Sequence, residues 1–163
     1  MPSKDRLYGV ARQVLDTVSA GLTAAGAEAP ARQYVADGNL VAWDCEQLVV
    51  AVASTYSHQG DVASEFAGVM AMVPRAADLE VWLVRCCPTP DDDGEPPSAD
   101  DIDASAAVVL ADPMVIVECL WKAYEAGDLA SCKGLVFRRW QAVGPSGGLT
   151  GGVMRLSVNL TEV

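Results

Sequence analysis

Side chains that could act as nucleophiles, general bases or metal ligands are few in this sequence, and their spacing does not suit catalysis. The one histidine, His58, lies in a polar stretch, so no cysteine or serine nucleophile has a base beside it. Adjacent strand residues face opposite sides, so Cys86 and Cys87 could not jointly bind a zinc ion. We therefore expect no catalytic residue, no metal site and no cofactor, in a protein that is not an enzyme.

The cysteines also bear on the compartment in which the protein works. There are five, at positions 45, 86, 87, 119 and 132, and none forms a CxxC pair. An odd number without paired spacing favours small, buried apolar side chains in a reducing compartment over a disulfide framework.

Two segments have compositions typical of ligand-binding loops. The first, residues 88–103, carries seven acids and four prolines with no basic residue between them. Its Asp91–Glu95 stretch lacks the spaced oxygen ligands of a calcium-binding EF-hand. The second, Gly144–Gly152, lacks the Lys-Ser/Thr of a phosphate-binding loop and precedes a strand instead of a helix. We expect a solvated acidic, proline-rich loop and a hairpin connection.

Composition limits the class of protein. The chain has 163 residues, and about half are apolar, which is typical of one folded domain over residues 1–163. A net charge of −11, with 22 acids against 11 bases, argues against tight binding to a phosphate backbone. No uninterrupted apolar stretch reaches the roughly 18 residues of a membrane helix, and the N-terminus does not resemble a signal peptide. The sequence predicts a cytoplasmic origin and no membrane partner.

Hydrophobic spacing predicts the elements of the first half. Apolar residues recur every three or four positions over Asp5–Ala25, which predicts an amphipathic helix capped by Ser3 and ended by Gly26. Short strands are predicted at Arg32–Ala36, Leu48–Tyr56 and Leu79–Cys86. A helix is the alternative for the second strand, and Glu65–Val73 could form a short helical face.

The second half predicts a long helix followed by a hairpin. The helix begins after a cap at Ser98 or Asp100, ends at Gly127, and must be kinked or divided by Pro113. The final strands are predicted at Leu135–Val143 and Val153–Thr161.

This order predicts an α+β fold. We expect a mixed, mainly antiparallel sheet of four to five strands, with the N-terminal helix and the long helix packed on one face. The C-terminal hairpin lies in the middle of that sheet or at its edge.

Four segments occur in an order that is similar to a known family. They are Trp43-Asp-Cys-Glu-Gln-Leu48, Glu80-Val-Trp-Leu-Val-Arg-Cys-Cys-Pro88, the long alanine-rich helix and Val143-Gly-Pro-Ser-Gly-Gly-Leu-Thr-Gly-Gly152. Together they resemble the tail terminator proteins of siphophages that infect actinobacteria. The resemblance spans most of the chain, and its motifs are short and structural.

The resemblance implies a structural virion protein that forms a hexameric ring at the head-proximal end of the tail tube. Such a ring stops tube polymerisation and joins the tail to the head connector, while genomic DNA passes through the lumen without sequence-specific binding. It is assembled in the host cytoplasm and lies in the neck of the virion. The implied partners are further copies of the chain, the tail tube protein and a head-completion protein.

Only loops can be carried over from the family to this sequence. The candidate lumen or subunit-interface residues are Asp91, Asp92, Asp93, Glu95, Gly147, Gly148, Leu149 and Gly151. Two alternatives remain open in the same setting: a head-tail connector or stopper protein of the neck, and a tail tube subunit. A small-molecule binding domain is a further class, for which the sequence suggests no ligand.

Overall fold

The computed structural model describes residues 4–38, 41, 44–56 and 76–160, which form two helices and five strands. In chain order these are α1 (Lys4–Ala24), β1 (Arg32–Asp37), β2 (Gln47–Tyr56), β3 (Ala76–Cys86), α2 (Ala99–Ala126), β4 (Cys132–Ser146) and β5 (Leu149–Leu160). The α+β class is therefore confirmed, and residues 48–56 form a strand, not a helix. The predictions for Ser3, His58 and Glu65–Val73 lie outside the described residues.

The five strands form one mixed sheet in the order β1-β2-β3-β5-β4. The first pair, β1 and β2, is parallel, and each of the other neighbouring pairs is antiparallel. In the C-terminal hairpin, β5 lies inside the sheet between β3 and β4, and β4 is the outermost strand on that side of the described sheet. The β4–β5 register shifts at three places, between Cys132 and Gly134, Phe137 and Arg139, and Val143 and Ser146.

Both helices pack on one face of the sheet. Alternate strand residues, including Leu48, Leu79, Leu83 and Leu156, are fully buried there against the apolar stripe of α1. That stripe consists of Val10, Ala11, Val14, Leu15, Val18 and Leu22, each 0% exposed. Burying one such leucine or valine side chain contributes roughly 1.5–3 kcal/mol, so this face carries most of the hydrophobic stabilisation.

The two helices approach each other closely at one glycine. A Cβ atom on Gly21 would lie 2.5 Å from the Cβ atom of Cys119, nearer than side-chain atoms can pack. Glycine is therefore required where α1 meets α2, and α2 turns only Val109, Asp112, Ile116 and Leu120 into the core.

The caps of α2 are where the sequence predicts them. Ser98 is the N-cap, and its hydroxyl accepts a hydrogen bond from the Asp101 N–H. Gly127 follows the last turn with φ 79°, the left-handed conformation that glycine adopts without strain. The helix runs undivided through Pro113, and the predicted loop over 88–103 is shorter than expected, because its last five residues already belong to α2.

The final hairpin differs from the prediction in its turn. The strands extend into the glycine-rich segment, so that only Gly147 and Gly148 form the turn, while Leu149 and Gly151 belong to β5. The physical reason lies at Gly151, which pairs with Val84 on one side and Val143 on the other. A Cβ atom there would collide with the Leu83 carbonyl oxygen, so this glycine permits close strand packing instead of a chain reversal.

The cysteine prediction is wrong for one pair. Cys45, just before β2, and Cys86, the last residue of β3, form a disulfide with their Cα atoms 5.1 Å apart. Sequence spacing could not reveal this pair, because 41 positions separate the two residues and only the β2–β3 pairing brings them together. Among the described cysteines, Cys87 and Cys119 are half-buried thiols and Cys132 is a buried one.

Candidate functional site

The structure brings the two predicted loops together at one end of the sheet. The Cys87 N–H donates to the Gly148 carbonyl oxygen at 2.8 Å, which joins the start of the acidic segment to the hairpin turn. A Cβ atom on Gly148 would lie 3.0 Å from Thr89 Cγ2, so the two loops are in direct contact. Leu149 and Gly151 do not belong to this exposed end, because they lie within β5.

The acidic segment, residues 91–95, folds into a hydrogen-bonded turn. Its first carboxylate, on Asp91, accepts the N–H groups of Asp93 and Glu95 at 3.0 and 2.9 Å. Asp91 therefore holds the turn, whereas Asp92, Asp93 and Glu95 are exposed. Within the described ranges, no basic side chain forms an ion pair with these three carboxylates.

The acids just beyond that segment have a local structural role. Asp100 and Asp101 lie in the first turn of α2, where negative charge stabilises the helix dipole. The Ser98 hydroxyl also donates to the Asp101 carboxylate at 2.6 Å. These residues cap a helix and need no ligand to explain them.

The outer side of α2 exposes large apolar side chains in one stripe. Leu110, Met114 and Trp121 are 70%, 69% and 44% exposed, and their spacing of four and seven residues places them on one helix face. The Trp121 ring packs at 5.7 Å from the Tyr124 ring, whose hydroxyl donates to the Lys133 carbonyl oxygen. We call Leu110, Met114 and Trp121 the α2 stripe. The sequence predicted the helix but not which of its faces is exposed, because apolar residues occur on several sides of the helix.

By length and composition alone, α2 could also cross a membrane, and only 22% of its most apolar window is buried in the protein. A buried charge nevertheless attaches it to the sheet. The Asp112 carboxylate binds the Arg85 guanidinium of β3 through two hydrogen bonds of 2.8 Å. The side chains are 2% and 11% exposed, respectively. The hydrogen bonds to Asp112 raise the pKa of Arg85 further, so its guanidinium stays charged.

This ion pair lies at the base of a cavity of about 640 Å³ between the end of α1, α2 and the end of β3. Sequence reasoning missed the pair. The signal in the sequence was a single acid, Asp112, within the apolar run from Val108 to Val117. It lies three residues after Val109 and four residues before Ile116. An acid on the buried stripe of a helix requires a cationic partner in the fold.

The sheet face away from the helices carries a polar network around Asp78. Its carboxylate accepts hydrogen bonds from the hydroxyls of Ser157, Tyr56 and Ser54 at 2.6, 2.6 and 3.0 Å. Burial by itself would raise the pKa of Asp78, but these three hydrogen bonds, together with the positive charge of Arg138, outweigh it, so the pKa is lowered.

Replacing Asp78 by Asn is therefore expected to reduce the loss of folding stability at acidic pH. Because the folded pKa lies below the usual value of 3.8, ionised Asp78 stabilises the fold above about pH 4. That contribution is lost as the pH falls through the folded pKa. Melting temperatures between pH 7 and pH 2 should fall less steeply in Asp78→Asn than in the wild type, and Asp128→Asn is the control for one lost charge. Parallel profiles for Asp78→Asn and the wild type would contradict the assignment.

Beside this network, three arginines line a groove of about 510 Å³. Arg139 and Arg155 are directly opposite each other on β4 and β5. Arg138 is the extra residue of the β4 bulge between Phe137 and Arg139. The bulge directs Arg138 to the same face, where its Nε donates to Ser157 Oγ at 3.0 Å. We call Arg138, Arg139 and Arg155 the arginine groove. The Arg-Arg dipeptide was visible in the sequence, but its shared orientation depends on the bulge.

The described part of the chain contains no cluster of three or more His, Cys, Asp or Glu side chains that could hold a metal ion. Burial raises the pKa of the Cys119 thiol to about 11 and also raises that of Cys132, which leaves both protonated at neutral pH. The chain matches no protein-family model and no curated protein sequence at a significant level. Its function must therefore be inferred from its own surfaces.

Proposed function

We propose that this protein is a tail terminator: a structural subunit that forms a ring on the head-proximal end of a phage tail tube. The observation that carries the proposal is the α2 stripe, whose side chains at 110 and 114 are 70% and 69% exposed. Soluble monomers rarely expose contiguous apolar patches of this kind, and such patches mark protein–protein interfaces. The sequence resemblance supplies the identity of the assembly.

The shape of the subunit is consistent with a heterologous, ring-forming contact. The α2 stripe lies on one side of a two-layer domain, and a ring forms only if the neighbour covers it with a different surface, because two stripes packed on each other would close a dimer. Such head-to-tail contacts close into rings or continue as helical filaments, depending on the rotation between subunits. A terminator requires closure, and its net charge of −11 would let DNA pass without adhering.

Negative-stain imaging of the purified protein, alone and mixed with the tail tube protein of the same phage, tests the proposal. We expect closed rings from this chain alone, and tubes of finite length capped at one end in the mixture. Open tubes formed by this chain alone would instead identify a tube subunit. Rings that bind the head connector without limiting tube growth would identify a connector or stopper.

Charge placed on the α2 stripe should disrupt the ring. Leu110→Asp and Met114→Asp remove apolar contacts and bury a carboxylate in the interface, so each is expected to raise the subunit dissociation constant at least about 30-fold, or roughly 2 kcal/mol. Light scattering coupled to size-exclusion chromatography measures the shift in mass. The melting temperature of the monomer should change little, because both side chains are exposed.

Tyr8→Asp is the matched control, since Tyr8 is an exposed apolar residue on α1, 59% accessible. It should leave the ring intact. Equal loss of assembly in all three variants, or no loss in any, would contradict the assignment of α2 as the interface. Partition of the wild-type protein into liposomes would show that α2 inserts into lipid and would also overturn it.

A further inference from the structure

We propose that the arginine groove receives the acidic segment of a second copy of this chain. The segment presents the exposed carboxylates of Asp92, Asp93 and Glu95, and the groove presents three guanidinium groups. This inference rests on the proposed function only in assuming that copies of the chain assemble. It adds a specific ionic contact to the apolar contact of α2.

The groove is an unfavourable arrangement for an isolated subunit. Arg139 and Arg155 occupy directly opposed positions on neighbouring strands, where like charges destabilise a sheet. The bulge then adds Arg138 to the same face instead of turning it away. Three of the chain's 11 basic residues are thus concentrated in one groove of a strongly acidic protein. An anionic partner would relieve this repulsion.

The two acids within the groove, Asp78 and Glu80, neutralise only part of the charge of its three arginines. Glu80 forms an ion pair with Arg155 at 2.9 Å, and its side chain is only 6% exposed. The Asp78 carboxylate is occupied by three hydroxyl groups. Neither Arg138 nor Arg139 forms an ion pair within the described ranges, and the Arg139 guanidinium donates to the neutral Gln141 side chain at 3.2 Å. Three guanidinium groups therefore face two carboxylates, of which Glu80 is buried, and the groove keeps a net positive charge.

The acidic segment of the same copy cannot reach this groove. In the β3–β5–β4 register, Arg155 and Arg139 align with Glu80, six residues before the end of β3 at Cys86. At about 3.3 Å per residue this separation is roughly 20 Å along the sheet. The hydrogen bonds from Cys87 to Gly148 and within the 91–95 turn keep the segment at the far end. The two charged surfaces can meet only between copies.

Carboxylates fit the groove better than the phosphates of DNA do. Arginine binds carboxylates and phosphates alike through paired hydrogen bonds, so the difference lies in what surrounds the guanidinium groups of Arg138 and Arg139. A DNA duplex would also approach Asp78, Glu80 and a surface of net charge −11. A short, exposed turn can place its carboxylates on the guanidinium groups without also placing a long row of anionic groups against Asp78 and Glu80.

Charge reversal with rescue tests the contact. Arg139→Glu and the pair Asp92→Lys/Asp93→Lys should each weaken self-association about tenfold or more, as measured by sedimentation velocity. The combined variant should restore it. Net charge alone predicts the opposite for the lysine pair, because two Asp→Lys changes add four positive charges to a chain at −11 and reduce repulsion. Asp91 is left unchanged because it holds the turn.

Arg12→Glu serves as the control for reversing an exposed arginine, since Arg12 pairs with Asp16 on the surface of α1. Self-association that does not respond to Arg139→Glu or to the lysine pair would overturn the contact, even if rings cap tubes. Recovery in the combined variant without tube capping would support the contact and reject only the terminator role. Loss of binding to a short DNA duplex in Arg139→Glu, with association unchanged, would identify a phosphate site and overturn the inference.

Discussion

An Asp112→Ala variant is expected to lose roughly 3–5 kcal/mol of unfolding free energy, because it leaves a buried cation without its partner. Arg85 would remain 11% exposed beneath α2, with only a 3.4 Å hydrogen bond from its Nη1 to the Glu28 carbonyl oxygen. Because α2 turns only four residues into the core, the same change should loosen the helix from the sheet. Urea unfolding monitored by circular dichroism measures the loss.

Two comparisons separate the buried pair from charge effects in general. Asp16→Ala removes an exposed ion pair with Arg12 and should cost about 1 kcal/mol or less. The double variant Arg85→Leu/Asp112→Leu should recover most of the stability, because it removes both charges together and fills the space with apolar groups. An Asp112→Ala variant as stable as Asp16→Ala would show that the pair is not effectively buried in solution.

The second large effect is expected at Gly151. Substitution by alanine should lower the free energy of unfolding by about 2–6 kcal/mol, because it combines backbone strain with overpacking. Its φ is 143°, a conformation that residues with a side chain rarely adopt. The added methyl group would also meet the Leu83 carbonyl oxygen, so β3 and β5 would have to move apart. Thermal unfolding of Gly151→Ala against the wild type measures the loss.

Gly147→Ala provides the matched control in the same hairpin. Gly147 also has a positive φ, 59°, but no atom lies within 4 Å of its added Cβ. The substitution should lower the free energy of unfolding only through the left-handed backbone conformation, by about 1–2 kcal/mol. If the two alanine variants were equally stable, the close packing of strands at Gly151 would be refuted.

The sequence predicted those elements whose signals are local. The apolar spacing of α1, the Ser98 cap and the Gly127 stop of α2 each depend on a few neighbouring residues, and all three are found in the structure. The strand at Leu48–Tyr56 was recognisable by its β-branched residues. The α+β class followed from the order of these elements.

Features that depend on strand pairing could not be predicted in this way. The glycines near 150 indicate a turn when considered alone, and only the neighbouring strands show that Gly151 is needed for packing. Cys45 and Cys86 become neighbours through the β2–β3 register, and Arg138 turns beside Arg139 because of a bulge. The α2 stripe was hidden for another reason: the helix is apolar on several sides, so its spacing does not indicate which face is covered.

The irregular register of β4 has a consequence for growth of the sheet. A regular strand at the margin of a sheet offers unpaired N–H and C=O groups to which another chain can add, and this is a common route to aggregation. Over its 15 residues β4 is interrupted three times, and Pro145 lacks an N–H group. A strand added along β4 would find no uninterrupted ladder. On this margin of the sheet, copies of the protein should therefore associate through side chains and not by strand addition.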